Sequence, residues 1–446
     1  MKGRRWLLIA VCVFLLGSPR GAYSSPEEQD PFSEQEILLE NLIHHAVQAN
    51  PSIRAARQAW RAALENFRVA TGYPDPQLMA SYYPGPIETR LGPQDWNVNL
   101  TQRIPFPGKL SKAGEVVEAE TRVAKLNLDK TVRQVVSGLK ESYHELGYIR
   151  EAKRIARENL DLLNHLRKVG ETAYAGDRAT LLDMVKAQSQ LGQLQYDMVL
   201  LRDLEETEIT RLNTILDRDP GARIGPLQPL PVQPIPFDLE RLYQMAEQNQ
   251  EDILMARNRI DRAEARVDLA RMEGLPDFNV GLFYGSIGKP DIPQQPLDAG
   301  RDAVGVQVGM TLPIWFGKNR GRLERAFAEM EMAKEEREVR INQAQEGIRS
   351  IFFRLENAKR LISLYQNELL PQAAKSIEIA EVWFRQGESS FSDFVEAQAV
   401  WYNFQLTLAR ARADYGKYLA RLERVVGRDL SRRPDPAKPG QGEEPR

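Results

Sequence analysis

The sequence contains one cysteine and four histidines, which leaves few residues for metal or thiol chemistry. Cys12 lies within a predicted signal peptide, so the mature chain would have no thiol for a disulfide, a metal or a nucleophile. The adjacent His44 and His45 point in different directions on a helix, and His144 and His165 do not complete a ligand set with them. We therefore expect no cofactor, no metal site and no catalytic constellation.

Phosphate-binding motifs and a strong net charge are also lacking. The two Gly-Lys pairs, Gly108-Lys109 and Gly317-Lys318, lack the glycine five positions earlier and the following Ser or Thr of a phosphate-binding loop. The 60 basic and 62 acidic residues give a formal net charge of -2, so no global field attracts nucleic acid. These absences exclude a nucleotide-driven motor and argue against an enzyme and a nucleic-acid partner.

The N-terminus predicts export. Lys2, Arg4 and Arg5 precede an apolar run over residues 6–16, and small, turn-forming residues follow, so residues 1–25 are predicted to be a signal peptide. This run is shorter than the roughly 20 apolar residues of a spanning helix, and no later segment approaches 18 consecutive apolar residues. If the exported chain sits in a membrane, it must do so as a closed barrel.

An internal repeat organises the rest of the chain. The segments GYPDPQLMASYYPG and DWNVNLTQRIPFPGKL recur about 200 residues later as GLPDFNVGLFYGS and DAVGVQVGMTLPIWFGKN. The matched residues are Pro74-Asp75 with Pro276-Asp277, Pro105 with Pro313, and Gly108-Lys109 with Gly317-Lys318. The predicted organisation is one structural repeat at 26–219, a proline-rich linker at 220–236, a second repeat at 237–430 and a disordered tail at 431–446.

Each repeat combines helices with one pair of strands and a long helical hairpin. Ser33 and Glu36 form a capping-box pattern that predicts a first helix from about residue 34. Residues 108–169 contain no proline, show apolar residues at helical spacing and would form a helix of about 90 Å. A break is predicted from Gly170 to Asp177. The strands are predicted at about 77–83, 96–103, 278–284 and 304–312.

The strands have one apolar face. Val304, Val306 and Val308 alternate with Gly305 and Gln307, a pattern that also fits a soluble sheet packed on one face. Their length of about 8 or 9 residues and the export signal favour a membrane barrel. Four strands are too few for closure, since the smallest transmembrane barrels have about eight. Two, three or four chains would give 8, 12 or 16 strands, and all three remain open on this count.

This ordered set of features resembles the TolC-like outer membrane efflux proteins over about residues 32–430. The resemblance implies a mainly α fold with a membrane β-barrel, in which a homotrimer builds a 12-stranded barrel and a periplasmic helical tunnel. It further implies a passive exit duct of a tripartite efflux pump or type I secretion system for small molecules or metal ions. Its partners would be a periplasmic adaptor (membrane fusion protein) and an inner-membrane transporter. The alternative is a soluble periplasmic coiled-coil scaffold or adaptor.

The turns after the second and fourth strands form one candidate site. Pro105, Pro107 and Gly108, like Pro313 and Gly317, are expected to end a strand and redirect the chain into a helix. Lys109 and Lys318 then place positive charge at helix starts, where the helix dipole disfavours it. We hypothesise that outer membrane lipid head groups at the periplasmic face compensate this charge. Ordinary solvated charge is the alternative.

The tips of the helical hairpins form the other candidate site. Gly176 and Gly387 mark the turns, and Asp183 or Asp393 follows each turn. The resemblance implies that such tips contact the adaptor, and that Asp393 with Glu396 forms the tunnel constriction. The two carboxylates are three residues apart on one side of a helix, and three-fold symmetry would make them rings that favour cations. Surface carboxylates on a solvated face are the alternative.

Overall fold

The computed structural model describes residues 32, 36–176, 179–386 and 388–430. The predicted signal peptide, the tail and Gly387 lie outside the described residues. The first repeat contains α1 (Leu39–Ala49), α2 (Pro51–Thr71), β1 (Gln77–Thr89), β2 (Gly92–Ile104), α3 (Lys109–Ala175) and α4 (Leu181–Ile215). The second contains α5 (Leu239–Asn249), α6 (Glu251–Met272), β3 (Phe278–Ile287), β4 (Ala303–Met310), α7 (Phe316–Leu364), a π-helical turn (Tyr365–Leu369), α8 (Leu370–Gln386) and α9 (Phe391–Val426).

The first helix begins later than its sequence pattern predicts. Helix α1 starts at Leu39, and the predicted start near residue 34 is wrong because Ile37 instead forms a parallel bridge with Leu227. Helix α2 follows directly, because the Asn50 side chain accepts hydrogen bonds from the first backbone N–H groups of α2 and Pro51 occupies its first position.

The four strands form one antiparallel sheet in the order β1-β2-β3-β4. Strands β1 and β2 have 13 residues each and extend beyond their predicted ends to a tight turn between Thr89 and Gly92. The predicted strand ends at about residue 83, directly before Pro84. That proline lies in a stretch where the register shifts, on an edge strand, and both settings tolerate a missing N–H donor.

The two hairpins of the sheet are paired in the same register. Gln77 pairs with Thr101 in the first hairpin, and Asn279 pairs with Gly309 in the second. The offsets are 202 residues for the first strand (279 minus 77) and 208 for the second (309 minus 101). The same offsets relate every further pair up to Tyr82–Trp96 and Tyr284–Val304. The repeat seen in the sequence is therefore also a repeat of strand register.

One face of this sheet is apolar and exposed to its surroundings. Directly paired residues point to the same side, so this face carries side chains from all four strands. Its exposed members include Leu78, Tyr82, Leu100, Leu282, Val304, Val306, Val308 and Met310. The opposite face carries mostly small or polar residues, including Ser81, Asn97, Asn99, Thr101 and Gln307. A sheet with these two faces suits apolar lipid on one side and water on the other.

Long helices make up most of the chain. Helix α3 has 67 residues and is about 100 Å long. It continues through Gly170, so the predicted break at that residue is wrong. A Cβ atom at Gly170 would lie 3.0 Å from Phe391 Cζ and 3.2 Å from Met184 Sδ, which shows that this glycine allows close packing of the two hairpins. Helices α7 and α8 join through the π-helical turn, which is followed by Pro371.

The helices pack around equivalent cores in the two repeats. The first core joins α1, α3 and α4, and the second joins α5, α7 and α9. Fully buried residues recur at matching positions, namely Leu42 and Leu242, Leu146 and Leu355, and Leu212 and Leu422. The proline-rich segment 220–236 lies against these cores, where the Tyr415 hydroxyl donates to the Gln233 carbonyl at 2.5 Å. The duplication thus extends from the sheet into the helical part.

Candidate functional site: the strand roots and the hairpin tips

Asp277, just before β3, is the centre of a buried ion-pair cluster at the root of the sheet. Its side chain is 4% exposed, and it accepts hydrogen bonds from Lys109 Nζ at 2.6 Å and from Arg103 Nη2 at 2.5 Å. The Phe106 backbone N–H donates to the same carboxylate at 3.1 Å. Burial alone would raise the pKa of Asp277, but these hydrogen bonds outweigh it and lower the pKa to about 2. The cluster joins the end of β2 and the start of α3 to the second repeat.

This geometry corrects the expectation for Lys109. Its side chain is 15% exposed, and its ammonium group also lies 3.3 Å from the Leu275 carbonyl oxygen. The compensation for positive charge at the start of α3 is therefore Asp277 rather than a lipid head group. Lys318, at the equivalent place in α7, is exposed and forms no ion pair within the described part of the chain. For Lys318 a partner outside the protomer remains a proposal.

The two strand-to-helix turns differ in conformation. Gly108 adopts a φ of +89° immediately before α3, a backbone conformation that suits glycine, and Pro105 and Pro107 precede it outside any helix or strand. Gly317, in contrast, is the second residue of α7 and has no positive φ, with Pro313 three residues before the helix. The expectation that Gly317 redirects the chain as Gly108 does is therefore wrong. The second turn has one more residue, which allows the change of direction before the helix begins.

Each hairpin tip begins its returning helix with a capping box. Thr180 and Asp183 cap α4, and Ser390 and Asp393 cap α9, with the carboxylate accepting from the backbone N–H of the capping residue at 2.9 Å in both. Gly176 ends α3 without a positive φ. The sequences TLLD and SFSD carry this [ST]-x-x-D signal, which could have been recognised before the structure.

The two capping carboxylates differ in exposure. Asp183 is buried, so its side chain serves the helix start and is not available for the adaptor contact expected of it. Asp393 is exposed, as is Glu396, and both lie on the side of α9 opposite the buried Phe394 and Val395. Hydrogen bonding with Ser390 lowers the pKa of Asp393, and the nearby charge of Lys186 lowers it further. The structure thus leaves a pair of negative side chains on one surface of the tip.

A surface patch at the first hairpin tip was missed in the sequence. Leu181, Leu182 and Val185 are 65%, 62% and 54% exposed at the start of α4. Their spacing places them together on the helix, away from the buried Ala187 and Leu191. The sequence signal is the pair Leu181-Leu182 directly after the capping Thr180. These two leucines precede the first buried apolar residue of α4, Ala187. The tips themselves are joined, because Lys186 Nζ donates to Ser392 Oγ at 2.9 Å.

Within the part of the chain that the structure describes, no group of three or more His, Cys, Asp or Glu side chains could hold a metal ion. No helix within those same residues is long and apolar enough to cross a membrane.

The match to a family model agrees with this architecture. A model described as Outer membrane efflux protein matches residues 42–217 and 242–428, one segment in each repeat. The chain belongs to this family. As an outer membrane efflux protein it is a passive channel component rather than an enzyme, and it is located in the outer membrane with a periplasmic helical domain. The soluble scaffold or adaptor is accordingly set aside.

Individual relatives are distant in sequence but similar in fold. The pyoverdine export outer membrane protein OpmQ of Pseudomonas aeruginosa is 25% identical over 301 residues, which are 64% of this chain and 60% of that protein. The cobalt-zinc-cadmium resistance protein CzcC of Cupriavidus metallidurans is 20% identical over 395 residues, 88% of this chain and 90% of that one. The crystal structure of the outer membrane protein VceC of Vibrio cholerae superposes with a TM-score of 0.72 at 20% identity, covering 88% of this chain and 96% of that chain.

These likenesses confirm the predicted fold class. The outer membrane efflux protein is mainly α, repeats a unit of helices, strand pair and long hairpin, and contributes four antiparallel strands to a membrane β-barrel. The observed strand ends and the Asp277 cluster refine this prediction.

Proposed function

We propose that three copies of this chain form a passive exit duct from the periplasm to the exterior, with a shared 12-stranded barrel. The observation that supports it most directly is the four-stranded sheet, whose edge strands β1 and β4 lack a partner within the described residues while its apolar face is exposed. Unpaired backbone groups in lipid cost several kcal/mol each, so both edges require another copy. Light scattering of the detergent-purified protein, corrected for bound detergent, tests this. A trimer supports the duct, and a water-soluble monomer contradicts it.

We further propose that Asp393 and Glu396 line the narrow end of the duct. Three-fold repetition of two exposed carboxylates would concentrate negative charge there and favour cations. Replacing both with Asn and Gln should reduce the cation preference of single channels in a planar bilayer. Asp183→Asn is the matched control, because it changes the equivalent capping residue of the other hairpin, whose side chain is buried. Equal effects of both changes would assign the result to helix capping instead.

The hairpin tips are proposed as the contact for a periplasmic adaptor that connects the duct to an inner-membrane transporter. Leu181, Leu182 and Val185 offer exposed apolar area, which is unusual in solvent and typical of a docking surface. A photoreactive amino acid at position 182 should cross-link to a second periplasmic protein in cells. The same amino acid at position 199, also exposed on α4 but further from the tip, should not. Cross-linking at both positions, or at neither, would contradict the proposal that the hairpin tip is the adaptor contact.

The cargo is proposed to be a small molecule or a metal ion. Relatives named for pyoverdine export and for cobalt, zinc and cadmium resistance include both classes. Deleting the gene and comparing growth in divalent metal salts with growth in organic toxic compounds distinguishes them. Complementation by a channel carrying neutral residues at 393 and 396 then separates cations from other cargo, because only cation export should depend on those charges.

A further inference from the structure

The residues equivalent to the Asp277–Lys109 pair have no partners in one protomer. Asp277 corresponds to Asp75, and Lys109 corresponds to Lys318. Asp75 and Lys318 are both exposed, and neither forms an ion pair or a side-chain hydrogen bond with any residue in the described ranges. One aspartate–lysine pair, Asp277 with Lys109, joins the two repeats, whereas the equivalent aspartate and lysine are unpaired.

The position of these residues in the sheet explains the difference. Lys109 follows β2 and Asp277 precedes β3, and β2 and β3 are neighbours. Lys318 follows β4 and Asp75 precedes β1, which are the opposite edges of the sheet, about 14 Å apart at the usual strand spacing. The two residues are therefore kept apart within a protomer. They would meet only where β4 of one copy pairs with β1 of the next.

We infer that Lys318 of one protomer forms an ion pair with Asp75 of the next, and that β4 and β1 join copies in the register that β2 and β3 use within a copy. This inference rests on the proposed assembly of several copies. The contact closes the barrel at its periplasmic end, and the partner it requires is a second copy of this chain.

The offsets of the repeat give the register of the joint pair by pair. Leu100 pairs with Leu282 inside the protomer, so Val308 should pair with Ala80 of the next copy (100 plus 208, 282 minus 202). In the same way Val98–Tyr284 becomes Val306 with Tyr82, and Thr101–Gly281 becomes Gly309 with Met79. These three pairs define the proposed register of the joint.

The side chains of β1 and β4 fit this register. Val306, Val308, Ala80 and Tyr82 all belong to the apolar face, so the face continues across the joint. A slip of one residue would place the apolar side chains of one strand beside the polar face of the other. Gly309 has no atom within 4 Å of an added Cβ, which leaves room beside the 62% exposed Met79 of the next copy.

The helices that flank these edges also carry partly exposed apolar side chains. Helix α2 precedes β1 and exposes Phe67 and Val69, and helix α7 follows β4 and exposes Phe327 and Met332. Inside the protomer, α3 packs on α6, and these helices flank β2 and β3 in the same way. The joint between copies would thus extend from the strands into the helices.

The joint also differs from the cluster inside the protomer. Thr311 stands where Arg103 stands in the first repeat, and the second turn has one additional residue before its lysine. Asp75 would therefore have one cationic partner instead of two. Lys318 would then be the only cation paired with Asp75, so replacing Lys318 should clearly lower the stability of the joint.

Paired cysteines test the register. The only native cysteine is Cys12, in the predicted signal peptide, so introduced thiols are easily followed. Directly opposed strand residues have Cα atoms about 4.5–5.5 Å apart, within the range of a disulfide. The full-length double variant Ala80→Cys/Val308→Cys should give covalently linked dimers and trimers on a denaturing gel after oxidation. The control Ser81→Cys/Val308→Cys places the thiols on opposite faces and should remain monomeric on that gel.

Charge exchange tests the ion pair. Asp75→Lys and Lys318→Asp should each lower the temperature at which the detergent-purified trimer dissociates, because each creates two like charges at the joint. The double variant should recover most of that loss. Lys375→Asp is the control, since Lys375 is exposed on α8 and forms no ion pair with another described residue.

The outcomes separate this inference from the proposed assembly. A wild-type protein that is monomeric in detergent would overturn the assembly and the inference together. If the wild-type protein is a trimer but the Ser81→Cys/Val308→Cys variant cross-links and the Ala80→Cys/Val308→Cys variant does not, only the register is overturned. A trimer in which the double charge variant is no more stable than the single variants would overturn only the ion pair.

Discussion

Replacing Asp277 with Asn should destabilise the fold by about 2–3 kcal/mol at neutral pH. The pKa of Asp277 falls from 3.8 to about 2, a difference of about 1.8 units, and each unit is worth about 1.36 kcal/mol. The product is about 2.5 kcal/mol. Loss of one partner of a buried pair costs about 3–5 kcal/mol, but Lys109 keeps its contact with the Leu275 carbonyl, which favours the lower part of that range.

The pH dependence of this loss of stability shows whether it comes from the ionised Asp277 carboxylate. A carboxyl group with a lowered pKa in the folded state stabilises that state above its unfolded pKa of about 3.8, and the effect disappears as the pH falls towards 2. The difference in unfolding free energy between wild type and Asp277→Asn should therefore be constant at neutral pH and shrink between about pH 4 and pH 2. Other carboxyl groups titrate in both proteins and cancel in the difference.

The assay is guanidinium unfolding in detergent, followed by far-ultraviolet circular dichroism at one protein concentration. Asp291→Asn is the control, because Asp291 is exposed in the β3–β4 loop and has no ion pair or side-chain hydrogen bond to another described residue. The reasoning would be refuted if Asp277→Asn lay within about 0.5 kcal/mol of wild type, the usual range of surface substitutions. It would also be refuted if the difference stayed constant down to pH 2.

Further substitutions follow from backbone and packing geometry. Thermal unfolding in detergent measures those at the glycines and at His144, and hydrogen exchange measures the one at Thr180. Gly108→Ala should cost about 1–2 kcal/mol because its φ is +89°, whereas Gly317→Ala should be neutral or stabilise α7 by up to about 1 kcal/mol. Gly416→Ala places a Cβ 2.2 Å from the His144 ring and should cost about 1–3 kcal/mol, and His144→Ala should restore part of that loss. Thr180→Ala removes a cap worth about 1 kcal/mol, so amides at the start of α4 should exchange faster.

The sequence predicts the fold well wherever a periodic pattern determines it. Alternation located all four strands, and the absence of proline located the long helix α3. The ends of elements depend on contacts that no periodic pattern contains. Strand β1 runs past Pro84 because it is an edge strand, and α3 runs past Gly170 because Phe391 packs there. Helix α1 starts late because Ile37 pairs with Leu227, a residue 190 positions away.

The candidate sites were predicted less completely for a related reason. The repeat identified Lys109 and Asp277 separately, but they occupy different repeats and meet only because β2 and β3 are neighbours in the sheet. The hairpin tips were located from glycines and carboxylates. The exposure of the carboxylates at the tips could not be predicted from sequence. Asp183 and Asp393 have the same local sequence signal and differ only in what packs around them.

In a duplicated chain, equivalent residues that differ in exposure show where the two copies of the repeat make different contacts. Asp277 is buried and pairs with the partly buried Lys109, whereas their equivalents Asp75 and Lys318 are exposed. Asp75 and Lys318 lie at the two opposite edges of the sheet, where neither charge has a partner within one protomer. The simplest physical account is that a neighbouring copy provides the missing half of the contact. The same comparison separates the exposed Asp393 from the buried Asp183, and for this reason the proposed constriction uses the second hairpin.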